Sequence, residues 1–228
     1  MNIILHPVLS VAYAALLAFG IAVWRRGASA GLCLMLLAVT AALLYDNLVL
    51  AAGVWVKASE AFERAHLARF WLHACVTPLL VPVSYTLVRQ TGAAWARRPA
   101  APLIALLLTA GLIVLELAFS VARLSLKPVV EDGILTYEPA GRPAAAGAVM
   151  IAVVMASLLA AGWIVFRRGG PAAPLAGALI MLLGAAVTAL AGIPSLHNLF
   201  EFVLAACLWA GVARLASRGR RGLQFMGG

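Results

Sequence analysis

The chain has 228 residues, 64% of them hydrophobic and only 11% charged, with a mean hydropathy of +1.03. A soluble domain cannot bury that much apolar surface, so the composition excludes one and points to a polytopic membrane protein. The formal net charge of +9 would suggest nucleic acid in a soluble chain, but here the placement of the basic residues gives it another meaning, and no nucleic-acid partner is expected.

A membrane span needs about 20 apolar residues. Seven stretches supply them: 3–24, 30–53, 69–89, 101–122, 144–166, 174–192 and 197–216. The expected fold is all-α, a single seven-helix membrane domain over 1–228. The first stretch has no basic region before it; Arg25 and Arg26 follow it, so it reads as a span and not as a cleaved signal peptide. His6, just before Pro7, reads as interfacial.

Between the second and third spans, 54–68 has helical composition. It is expected outside the membrane, lying along the interface or extending a helix, with His66 solvated. Pro78 and Pro82 should kink the third span below His73. The second long external loop, 125–143, carries β-type residues punctuated by Pro and Gly, and reads as a folded cap or hairpin. Gly177, Gly184, Thr188 and Gly192 make the sixth span rich in small residues, which predicts close helix packing. Residues 217–228 form a basic tail. Cys33, Cys75 and Cys207 fall within spans and read as buried apolar side chains.

Arginines are sorted by side. Arg25, Arg26, Arg89, Arg97, Arg98, Arg167, Arg168, Arg214, Arg218, Arg220 and Arg221 share one side of the threading with no acid among them. The other side mixes Lys57, Arg64, Arg69, Arg123, Lys127 and Arg142 with Glu60, Glu63, Glu131, Asp132 and Glu138. The positive-inside rule then places the N-terminus outside and the C-terminus in the cytoplasm, as expected for a bacterial inner-membrane protein.

Three acids lie inside apolar stretches: Asp46, Glu116 and Glu201. An ionised side chain at mid-membrane costs roughly 2.5–3.5 kcal/mol on insertion scales, so such residues usually face a partner or a cavity. By the helical rise, these acids and His73 and His197 all lie roughly 5–10 Å below the outer hydrocarbon surface. Arg69 and His73 are four apart, as are His197 and Glu201, so each pair shares a helix face. His73, His197 and Glu201, with Asp46 or water in a fourth position, would make an open N/O site of catalytic-zinc type. Such a zinc would activate water, with Asp46 or Glu116 as base or orienting group and Arg69 pairing a carboxylate or a headgroup. Tyr45, Asn47 and Asn198 flank these positions as candidate substrate-binding residues. The same groups also suit plain interhelical pairing, Asp46 with Arg69 and Glu201 with His73.

Other chemistries find less. Lys57 and Lys127 lie in loops, which removes a retinal Schiff base; Glu-x-x-His pairs on two helices, a phosphate loop and a Gly-x-Ser-x-Gly elbow are absent from the sequence. His73 and His197 could face a haem, although three nearby carboxylates are odd company for one.

Seven spans, an external N-terminus and the pair in HNLFE (197–201) resemble the CREST superfamily of membrane hydrolases, which includes alkaline ceramidases and the progestin and adipoQ receptors. In that family three histidines hold zinc, two of them four apart on the seventh helix, with an Asp nearby. Here Glu201 stands in place of the second of these, His73 is on the third span and not the second, and the family's serine has no counterpart. The resemblance implies hydrolysis of a lipid-like amide or ester. The leading expectation is thus an intramembrane, zinc-dependent hydrolase drawing its substrate from the outer leaflet, with membrane lipids as partners. The alternatives are a proton- or cation-coupled carrier or channel using the same acids, and a non-catalytic subunit that binds lipid or a partner protein.

Overall fold

The computed structural model describes residues 2–131, 133–141, 145–193 and 195–226, except for the side chains of residues 2, 131 and 219–226. Asp132, Arg142 and the side chains of Glu131, Arg220 and Arg221, all used above to sort charge, lie outside the described residues.

The helices are α1 (Asn2–Arg25), α2 (Ala30–Ala52), α3 (Glu60–Val76), α4 (Leu80–Gln90), α5 (Ala100–Glu116), α6 (Ala145–Arg167), α7 (Ala173–Ala191) and α8 (Leu196–Met226). A 3₁₀ turn at Thr77–Leu79 joins α3 to α4, and a π turn at Leu117–Val121 prolongs α5. With α3 and α4 taken together, seven helical segments are long and apolar enough to cross a membrane. The chain is therefore an all-α integral membrane protein. Large apolar side chains such as Ile4, Val11, Leu103, Leu107, Leu183 and Leu190 remain exposed on the outer faces, where lipid replaces water as the solvent.

The third span differs most from expectation. Helix α3 begins at Glu60, nine residues before the apolar stretch, because Ser59 caps it by accepting from the Phe62 amide at 3.3 Å, and Glu60 and Glu63 favour the positive end of the helix dipole. Pro78 lacks an amide hydrogen, and the helix breaks there into the 3₁₀ turn. Pro82 lies in the first turn of α4, where its missing donor leaves no bond unmade.

Strands β1 (Leu126–Glu131) and β2 (Ile134–Pro139) pair antiparallel, Leu126 opposite Pro139 and Glu131 opposite Ile134. The sequence between them is Asp-Gly, the pair favoured in two-residue hairpin turns, and Gly133 takes a left-handed φ of 79°. This hairpin folds onto the ends of α2 and α3. The Leu135 amide donates to the Gly53 carbonyl at 3.0 Å, and Val49, Phe62 and Tyr137 form a small core beneath it.

The main core joins α1, α2, α4, α6 and α8 around Tyr13, Leu36, Val83, Met150, Leu208 and Trp209. Gly177 and Gly184 bring α7 against α8, where added Cβ atoms would meet Cys207 and Phe200. Gly192 is instead a left-handed helix cap with φ 65°. Cys33 is buried and Cys75 and Cys207 are half-buried; all three are free thiols. The tail expected after 216 continues α8 as far as Met226.

Candidate site between the helices at the hairpin end

Asp46, Arg69, His73, His197, Asn198 and Glu201 line one cavity of about 340 Å³. They come from α2, α3 and the first turns of α8, all near the end of the bundle that carries the hairpin. Farther in, along α2, α4, α6 and α8, the lining changes to side chains such as Leu36, Val39, Leu80, Val154, Leu158 and Leu208. On α2 the lining positions Asp46, Leu43, Val39 and Leu36 are three or four residues apart, so one helix face runs about 15 Å from the charged end to the apolar end.

At the charged end, Arg69 Nε donates to Asp46 Oδ1 at 2.7 Å. Asn198 Nδ2 donates to Asp46 Oδ2 at 3.2 Å and reaches Asn47 Oδ1 at 3.4 Å. Both carboxylate oxygens of Asp46 are thus occupied by donors from two different helices. Of the two interhelical pairs suggested by the sequence, the Asp46–Arg69 pair forms. Glu201 instead faces its helical neighbour, His197, with Nε2 to Oε1 at 3.6 Å. His73 Nδ1 lies 3.2 Å from Thr77 Oγ1 at the helix break.

Two histidines lie elsewhere than the sequence reading placed them. His6 is buried, and its Nδ1 lies 3.2 Å from Asn47 Oδ1, so it belongs to the core of this network and not to the interface. His66 is fully buried and not solvated. The early start of α3 carries it under the hairpin, where Arg69 Nη1 approaches its Nδ1 at 2.8 Å and the Tyr137 amide donates to the same nitrogen at 3.4 Å. With Nδ1 accepting from two donors, the ring proton belongs on Nε2. The signal for this was present: Ser59, Glu60 and Glu63 mark a helix start, and His66, Arg69 and His73 then fall on one helical face.

Glu116 does not line the cavity. It is buried on the side of α5 facing α6, where a Cβ on Gly147 would lie 3.4 Å from its Oε1, and its Oε2 has no partner among the described residues. Position along the helix axis was legible from the sequence, whereas rotation about that axis was not. Tyr45 sends its hydroxyl to the Ala65 carbonyl at 3.1 Å and ties α2 to α3. Asn47 is fully buried, with its amide donating to the Leu43 carbonyl at 2.9 Å.

The zinc ligand set does not converge in this arrangement. Asp46 is held by Arg69 and Asn198, His73 turns to Thr77, and among the described residues no three His, Cys, Asp or Glu side chains form a group able to hold an ion.

A second, smaller chamber of about 190 Å³ lies between this cluster and the hairpin. Arg69, Phe70 and Asn198 line both spaces. Its other polar walls come from His6, Ser195, Thr136 and Glu138, none of which the sequence assigns to a site.

Fold and site together define a helical integral membrane protein with a polar cluster over an apolar cavity. No known protein family matches the chain, and no curated protein matches it.

Proposed function

We propose that this protein binds a lipid-like amphiphile between its helices and hydrolyses an amide or ester bond in it, at the outer face of a bacterial inner membrane. The observation that carries the reading is the division of a single cavity into a charged end and an apolar end. A volume of about 340 Å³ lies within the roughly 300–1,000 Å³ typical of small-molecule sites, which are also mainly apolar with a few placed polar groups. A hydrocarbon chain would occupy the inner part and leave its linkage beside Arg69, His197 and Asn198.

At that linkage His197 takes a proton from water as the water oxygen attacks the carbonyl carbon. Glu201 orients the imidazole, and the Arg69 N–H groups not bound to Asp46 or His66 face the developing oxyanion. The bond to the leaving oxygen or nitrogen then breaks, and the proton moves from His197 to that atom. The products are a carboxylic acid and an alcohol or amine. Asp46 fixes the guanidinium in place. The resemblance to membrane ceramidases implies the same substrate class.

Transport of protons or cations has less support. Inward from the cluster the lining is almost entirely aliphatic, and Thr40 there is committed to the Leu36 carbonyl and to Trp209. The deciding experiment presents reconstituted protein with mixed acyl esters and amides and follows the products by mass spectrometry. Turnover that falls by about 10²-fold or more in His197→Ala supports hydrolysis, in line with the usual size of a general-base contribution. Retention of bound lipid with no product from wild type would leave a binding subunit and defeat the enzymatic reading.

A further inference from the structure

The outer chamber shares Arg69, Phe70 and Asn198 with the inner cavity, so a molecule passing between those three side chains occupies both. Its walls differ from those of the inner cavity. Thr136 and Glu138 reach it from β2, His6 from α1, and Ser195 from the turn before α8. Ser195 is only 7% exposed, and its hydroxyl has no partner among the described residues. A buried hydroxyl without a partner is destabilising, and a ligand that completes it accounts for its place there.

The charge in the chamber is balanced. Arg69 supplies one positive charge and already binds Asp46; Glu138 supplies a negative one and stands opposite Lys127 in the hairpin register. A phosphate would meet one neutralised guanidinium and one carboxylate, without the set of charge-assisted donors such anions need. Hydroxyl groups, which donate and accept at once, match the unpartnered Ser195 hydroxyl, the Glu138 carboxylate, the Asn198 Oδ1 acceptor, and Thr136 Oγ1, which donates to the Val129 carbonyl at 3.4 Å and can still accept.

We propose that the outer chamber is the headgroup subsite and that it takes an uncharged, hydroxyl-bearing headgroup on a single-chain amphiphile of the monoacylglycerol kind. The proposal rests on the amphiphile reading of the inner cavity. On that basis the chain fills the inner space, the scissile linkage lies beside Arg69, and the hydroxylated alcohol leaves on the hairpin side.

The test uses full-length protein in nanodiscs, with binding read by native mass spectrometry for three oleoyl probes: monooleoylglycerol, oleoyl lysophosphatidylglycerol and oleic acid. The expected result is at least a tenfold preference for monooleoylglycerol over the phosphate-bearing probe. Ser195→Ala and Thr136→Val should each reduce that preference several-fold while leaving oleic acid binding unchanged, since oleic acid needs only the inner cavity. Equal or tighter binding of oleoyl lysophosphatidylglycerol, or a preference unmoved in both variants, overturns the headgroup assignment. Ala205→Phe, which fills the inner cavity, separates the two readings. If it leaves oleic acid binding intact, the amphiphile site itself falls, and this proposal falls with it.

Discussion

Arg69 and Asp46, 23 residues apart in sequence, form a 2.7 Å ion pair between α3 and α2 at the boundary of two chambers. The guanidinium also reaches His66 beneath the hairpin, at 2.8 Å. One side chain thereby ties together two membrane helices, the hairpin cap and the polar end of the cavity. Asn198 adds α8, because its amide donates to both Asp46 and Asn47 on α2. The polar network is therefore architectural as well as the proposed site, and single substitutions within it are expected to affect stability.

That double role gives the first prediction. The Arg69 and Asp46 side chains are 15% and 24% exposed, so either one left alone is a largely desolvated charge. Breaking a buried pair by removing one partner typically costs about 3–5 kcal/mol. Arg69→Met and Asp46→Leu should each lower the unfolding midpoint in detergent by several degrees, the partial exposure putting the loss at or below that range. The double variant should recover much of it, because no uncompensated charge remains. Additive losses in the double variant would show that the pair is not the unit of stability.

The α7–α8 interface supplies a second. A Cβ at Gly184 would lie 2.2 Å from the Phe200 ring, and one at Gly177 would lie 2.6 Å from Cys207 Cβ. Overpacking of this kind usually costs about 1–3 kcal/mol. Gly184→Ala should therefore destabilise the protein within that range and Gly184→Leu should destabilise it further. Gly31→Ala on α2, where the space is open, should be neutral or slightly stabilising. Thermal unfolding of the three variants in one detergent makes the comparison, and equal midpoints would contradict close packing at Gly184.

What the sequence made legible follows from its physics. Hydropathy located all seven spans to within a few residues, except where α3 starts early and α8 runs on, because both extensions are polar and leave no trace in an apolar window. The hairpin was visible in its turn residues. Helical rise placed Asp46, His73, His197 and Glu201 at one level, and they share a cavity. Glu116 satisfies the same depth rule but points toward α6, since nothing in a uniformly apolar helix such as α5 indicates which face turns inward. Ser195, Thr136 and Glu138 carry no site signal in the sequence because they lie in connecting segments, whose fold over the site is a tertiary fact.

His197 and Glu201 allow a test that separates acid–base from metal chemistry. Their side chains face each other at 3.6 Å, and in this arrangement neither converges with His73 and Asp46 on a common point. Purified protein should retain turnover after dialysis against a strong chelator, and Glu201→Gln should lose less activity than His197→Ala because it removes the orienting group and leaves the base. Metal analysis of wild type and His197→Ala provides the opposing outcome. About one zinc per chain, lost in the variant together with activity, would mean that these side chains rearrange around an ion, and the hydrolytic step would have to be rewritten with the metal at its centre.

The hairpin is held at one point where no side chain fits. A Cβ on Gly53 would lie 2.1 Å from the Leu135 carbonyl oxygen, and the Gly53 carbonyl itself accepts from the Leu135 amide. Gly53 has an ordinary right-handed helical conformation, so alanine is excluded there by contact and not by backbone strain. Gly53→Ala should push β2 away from the end of α2, break that hydrogen bond and loosen the seating of Tyr137 on His66. Amide exchange at Leu135 and Tyr137 should rise by tenfold or more, while exchange in the middle of α2 and α8 stays slow. Because Thr136 and Glu138 line the outer chamber from the same strand, binding of a hydroxylated headgroup should weaken in step with that exchange, and oleic acid binding should not. Unchanged exchange at Leu135 in Gly53→Ala would mean that the cap tolerates displacement, and that its docking does not depend on close approach at Gly53.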